Sequence, residues 1–459
     1  MQSLQILLFH LDWQHALRIG DTIYLMSKRR GFSTTVLVGI LLAIAPSASG
    51  GAPTIPEWRP PDLHLPVPNG YDDFLKSGQM VDDVKADRTQ WAIALYPVSG
   101  AGMNQSLKPT PDEQVAAAKM VLARGAPSLA LFREGLEKPS RVAIDFVDFK
   151  VRGDELFQFR NLARLLEIEG WLREQNGNYR GAAATYLDLA DFGNHIMRGG
   201  LLIHRLTGLT LLEIGLGRLQ TVLPHLDAKA LALADSRLDA ADRRMPPMSE
   251  TFQMEKAYTH GHVLYYLRGS PATNEWLEGT EAESTANAAT RANVEAVIRE
   301  SRPDPAVYLK ALDDQWDFWA DNADRPYVEA ARNSPPPTDY ETLKLDTRNA
   351  LGADFWAAKM LTHLRLLELQ VALNRYHENR HAYPDTLGAL APKFLTTIPN
   401  DPFTGAPFVY RGSGATFLLY SPGPDGKDDG GATAYPLHDD SKGDVTLDSF
   451  VPPSKRSAP

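Results

Sequence analysis

The chain has 459 residues, enough for two to three domains at roughly 150 residues each and for a sizeable buried core. Hydrophobic residues at 43% and charged residues at 23% are ordinary for a protein that folds in water, which excludes a mostly disordered chain and a polytopic membrane protein. With 47 Lys and Arg against 57 Asp and Glu the net charge is −10 and no basic stripe exists, so nucleic acid is not an expected partner; the absence of cysteine excludes disulfides, thiolate-bound zinc, Fe–S clusters and thiol nucleophiles.

In chain order, the first patterned segment covers residues 26–50. Met26-Ser-Lys-Arg-Arg is basic, Val36 to Ala45 is nearly all apolar, and Pro46-Ser-Ala-Ser-Gly50 is small, the order of a secretory signal peptide. Met26 opens this leader cleanly and is the expected start, since residues 1–25 fit no leader pattern; cleavage is expected near Ala48-Ser49-Gly50. The segment predicts export to the periplasm, the cell surface or beyond, with membrane attachment only through an uncleaved leader. Lys28-Arg-Arg-Gly31-Phe32-Ser33 also resembles the prepilin-peptidase site of type IV pilins and pseudopilins. Val36 stands where that family has Glu, and Pro46 interrupts the apolar run early.

Residues 51–110 are expected to form a Pro-rich strap (Pro53, Pro56, Pro60, Pro61, Pro66, Pro68) and a first helix. Thr110-Pro111-Asp112-Glu113 is a helix start, with an N-cap, a proline at the first helical position and a carboxylate placed to cap back. Residues 111–333 then read as an α-helical hairpin domain. Leu162, Leu165, Leu166, Ile168 and Leu172 mark one helix up to a break at Asn176-Gly177-Asn178, and a second runs from about Tyr179 to Phe192. Trp171, Leu172, Gly177, Tyr179, Ala182, Ala183, Tyr186 and Leu189 in this pair resemble a degenerate tetratricopeptide (TPR-like) unit.

Gly199 to Leu219 is apolar but interrupted by His204, Arg205, Glu213 and Arg218, so it reads as a buried core helix, with the first three as a candidate polar cluster. Gly208 and Gly215 share one face and predict close approach of a neighbouring helix. Further helices are expected from Asp227, Ser249 and Pro305, with a mobile Glu/Thr/Ala-rich stretch over 277–290. Trp316 and Trp319, beside Asp313 and Asp317, suggest either a sugar platform or, more simply, core packing on one helix face.

Ser334-Pro-Pro-Pro-Thr338 is the strongest boundary, a stiff connector to a second module over 339–450, with 451–459 as a tail. Tyr340 to Asn379 predicts one long helix, followed by short strands near Phe408–Tyr410 and Thr416–Tyr420. The expected fold is therefore mainly α: a helical-hairpin domain followed by a small α+β module, a long helix plus a short antiparallel sheet.

The string Leu373-x-x-Tyr376, Tyr383-Pro384, Leu387, Leu390, Ile398-Pro399-Asn-Asp401-Pro402-Phe403-Thr-Gly405-x-Pro407-Phe408-x-Tyr410, Tyr420-Ser421-Pro-Gly423-Pro-Asp425-Gly426 resembles the globular part of the major pseudopilin of type II secretion. The resemblance implies that fold and a Ca²⁺ site on the last loop: Asp425 matches the family's Asp-Gly position, Asp444 its acidic residue near the chain end, and Asp428 adds charge beside them. A solvated acidic turn is the alternative. An EF-hand is excluded, since Lys427 and Pro436 fall where that loop needs oxygen ligands.

His377-Glu378-Asn379-Arg380-His381 spells the H-E-x-x-H zincin signature, with two histidines for zinc and a glutamate to activate water. Pro384 lies too close for a comfortable helix there, and no downstream motif supplies a convincing third ligand. The expected function is therefore non-enzymatic: an exported cell-envelope protein that binds or scaffolds another protein, with a zinc hydrolase on His377, Glu378 and His381 as the alternative.

Overall fold

The computed structural model describes residues 55–99, 107–149, 153–268 and 285–451. The leader over 26–50, residues 277–284 and the tail from 452 lie outside the described residues. Residues 55–69 run without regular secondary structure, as their prolines require. Asn69 then caps the helix Gly70–Val84 (α1), and the Gln90 N–H donates to Asp87 at the start of Arg88–Ser99 (α2). Two helices thus precede Thr110 where the sequence predicts one. Glycines in α1 and Pro97 in α2 lower helix propensity, but burial of Phe74, Val81, Trp91 and Leu95 outweighs it.

Thr110 and Glu113 close the expected capping box on Pro111–Leu136 (α3). The remaining helices are Gly153–Gln175 (α4), Tyr179–Met197 (α5), Leu202–Val222 (α6), Ala228–Arg244 (α7), Met248–Leu267 (α8), Thr285–Ser301 (α9), Pro305–Asn322 (α10), Tyr327–Ala330 (α11) and Glu341–Arg380 (α12). Twelve helices among the described residues, 64% of the structure, accompany a two-stranded antiparallel sheet, so the fold is mainly helical as expected. The strands are Val409–Gly412 (β1) and Phe417–Tyr420 (β2), paired from Val409 with Tyr420 to Gly412 with Phe417. α3 alone among the described residues is long and apolar enough, by length and composition, to cross a membrane. Its Val121, Leu129 and Phe132 are buried, and it packs against α1 and α2.

The chain divides into two compact units, residues 1–58 with 263–310, and residues 59–262 with 311–459. In the first, residues 285–290 belong to α9, and Ser301, Tyr308 and Leu309 are buried.

The second unit is built on aromatic packing between α1, α3, α4 and α5. Phe192 meets Phe74, Phe132 and Phe159 at ring-centroid distances of 5.0, 5.2 and 5.4 Å. The α4–α5 hairpin turns where the sequence breaks: Gly177 at φ +70° lets its N–H donate to the Glu174 carbonyl and that of Asn178 to Arg173, and Asn178 then caps α5. α5 and α6 form the tightest pair. A Cβ on Gly208 would come within 2.5 Å of the Gly193 carbonyl oxygen, and one on Gly215 within 2.6 Å of that of Tyr186, so both glycines serve the close approach their spacing predicts.

α12 spans the same 40 residues as the predicted long helix to within a residue at each end and lies against both α6 and α7. Its other contacts close a second core, in which Leu366, Leu369 and Leu373 meet Leu390, Phe394, Phe403, Phe408 and Val445. This core also takes in Tyr327, from before the prolines. The Tyr327 and Val328 N–H groups donate to the Pro402 and Phe403 carbonyls at 3.1 and 2.9 Å. The Ser334–Thr338 segment therefore runs inside one packed unit rather than between two.

Candidate functional site

The acidic C-terminal loop places its carboxylates on protein donors. The Lys427 N–H donates to Asp425 at 3.0 Å, within the residue's own turn. Asp428 accepts from the Tyr420 hydroxyl at 2.6 Å and the Gly430 N–H at 2.9 Å, which hold its carboxyl below the usual range. Asp444, fully buried, accepts from the Gly431 and Asp429 N–H groups at 2.6 and 3.2 Å, while burial pushes its carboxyl up. Gly431 and Gly443, at φ +90° and +94°, allow the backbone to fold round Asp444. Among the described residues no three His, Asp or Glu side chains cluster as a metal site.

The H-E-x-x-H segment sits at the end of α12. His377 and Glu378 are in its last turn, but His381 has left the helix at φ +57°, its N–H donating to the His377 carbonyl at 2.7 Å. His377 stacks on Tyr383 at 4.5 Å, and Glu378 and His381 are exposed. A zincin needs both imidazoles on one helical face, and the left-handed cap removes the second. The helix ends here, a turn before Pro384, so the proline is not its direct stop.

Of the predicted polar cluster, His204 and Arg205 are buried and Glu213 is not. His204 accepts the Leu201 N–H at Nδ1 and turns Nε2 toward Glu155 at 3.6 Å, whereas Glu213 pairs with Lys359 at 3.7 Å on α12. Arg205 donates to the Pro246 carbonyl at 2.6 Å, and its burial pulls the guanidinium down to about 10. Asp324 caps α8 through the Met248 N–H at 2.9 Å and repels Asp354, which burial pushes up to about 7. Trp316 and Trp319 are buried beside Phe252, the packing reading of that pair. Asp313 instead meets His260 at 2.9 Å, and Asp317 meets Lys256 at 2.7 Å.

Sequence reading missed a charged seam of the unit, between α7 and α12. Asp235, Asp239 and Asp242 lie on one face of α7. Arg365 grips Asp242 through Nε at 3.0 Å, and Arg375 pairs with Asp235. Between them Glu368, 2% exposed, has one carboxyl oxygen without a hydrogen-bond partner; burial and the three aspartates push its carboxyl up to about 8, against the pull of Arg365. The four-residue acidic spacing in Asp235–Asp242 and the Arg365, Glu368, Arg375 row were the available signals. Below the seam His363 stacks on Phe450 at 3.9 Å and meets Gln220 at 3.2 Å, whose amide donates to the Leu447 carbonyl.

Comparison with protein-family models, curated proteins and solved structures finds no match to this chain.

Proposed function

We propose that the chain is an exported cell-envelope protein that acts by binding and scaffolding, its TPR-like hairpins holding a pseudopilin-like C-terminal module in a fixed setting. The leader over residues 26–50 supports export, and the motif string from Leu373 to Gly426 supports the module. The observation that carries the scaffolding role is α12: one uninterrupted helix closes the module's core through Leu366, Leu369 and Leu373 and is tied to α6 and α7 through His363, Arg365 and Arg375. A helix held between the module's core and α6 and α7 fixes the module on the hairpins, which present it.

The partner is a protein, and Trp356, 38% exposed on α12, and Met120, 40% exposed on α3, are places to look for it. A photocrosslinking side chain at either position in the full exported chain is expected to give a discrete adduct with another envelope protein, competed away by unlabelled chain. No competed adduct from either position, with the chain correctly folded, contradicts a binding role.

A further inference from the structure

We propose that Glu368 is a proton-gated latch between α7 and α12: with its carboxyl protonated the two helices stay docked, and with it ionised an uncompensated buried negative charge loosens α12 from α7. The geometry carries this. Arg365 on Asp242 and Arg375 on Asp235 fix the helices antiparallel and in register, which sets Glu368 against the Asp239–Asp242 stretch. Asp239 is held by Arg243 at 2.5 Å, so the seam brings three guanidiniums to the three aspartates and leaves none for Glu368.

Among the described residues no other element against α12 pairs a cation with Glu368: Arg218 and Arg205 of α6 go to Glu167 and the Pro246 carbonyl, and the only charged residue of α11 is Glu329. α6 contributes Gln220, paired with His363, and Glu213, which binds Lys359 two turns earlier on α12. The Leu387–Leu390 turn carries no charge, and the Leu447–Phe450 turn carries only the exposed Asp448. Thr396 donates to Asp239 at 3.4 Å, not to Glu368. With Glu368 protonated, the three aspartates and three guanidiniums of the seam balance in charge. Losing that proton places a fourth carboxylate among three cations where water cannot screen it.

Because the folded state holds this proton above the ordinary glutamate range, its stabilisation is complete below about pH 4.5 and is lost as pH rises through about 8. Over about pH 5 to 8 the unfolding constant of the full chain should rise about tenfold per pH unit more steeply than that of Glu368→Gln, the difference being one proton. Glu368→Met serves as a second neutral variant should the first fold poorly.

The chain has no cysteine, so Ser236→Cys on α7 and Asn379→Cys on α12, both exposed, take spin labels without background. Their separation should widen between pH 5 and pH 9 and stay constant with Glu368→Gln added. Equal pH slopes in the wild type and the neutral variants, or a separation that does not respond to pH in the wild type, overturns the latch.

Discussion

Gly193 and Gly208 show how narrowly single residues set the body of this protein. A Cβ on Gly193 would stand 2.4 Å from the Gly208 carbonyl oxygen, a backbone atom that cannot swing aside. Gly193→Ala is therefore expected to destabilise the chain by about 1–3 kcal/mol, read as a lower denaturant midpoint at unchanged slope. Gly177→Ala acts through backbone strain instead, since a Cβ there would meet nothing within 4 Å but the residue sits at φ +70°. At the other end of the unit, Asp444 is a buried acceptor for two loop N–H groups. Asp444→Asn turns the NH2 of its amide toward one of them and should cost about 1–3 kcal/mol in thermal or denaturant unfolding. The pseudopilin resemblance implies a Ca²⁺ site on this loop, so the wild-type melt in millimolar Ca²⁺ should lie above that in EGTA and the gain should disappear in Asp444→Asn. Equal melts with and without calcium would remove the metal site.

Among the elements, what the sequence announces is what local chemistry decides. The Thr110–Glu113 cap, the Asn176–Asn178 turn, the length of α12 and the β1–β2 pair rest on capping, on glycine and on side-chain period, and all are legible in the residues themselves. Elements decided by distant partners are not. α1 and α2 carry glycines and a proline that argue against helix, and they form because α3 and α4 bury their apolar faces. The Ser334–Thr338 prolines read as a domain boundary, yet Tyr327 on one side of them and α12 on the other share one core, since the reach of the Pro402 and Phe403 carbonyls toward α11 has no local signal. The candidate sites divide the same way. The H-E-x-x-H spacing was visible, but whether His381 stays in the helix depends on how α12 ends. The α7–α12 seam was invisible because its members are more than 120 residues apart, as Arg365 is from Asp242.

At the scale of the whole chain, the ionised side chains serve to join helices. Arg133 bridges Glu169 and Asp188, Arg237 bridges Asp188 and Asp191, and Arg365 and Arg375 continue the chain of pairs onto α12. Each of these pairs ties one helix to another at a defined register, while a partly buried ion pair is by itself weak evidence of added stability. That is a construction suited to holding a surface in place, and it fits the scaffolding role proposed above. Such a role depends on export, and export rests on the basic, apolar and small-residue order of residues 26–50. The most direct measurement is mass-spectrometric determination of the amino terminus of the full chain recovered from fractionated cells. The account predicts a chain beginning close to Gly50, found with the periplasmic, surface or extracellular fraction. A chain that keeps residues 26–50 and stays with the cytoplasmic fraction would contradict it.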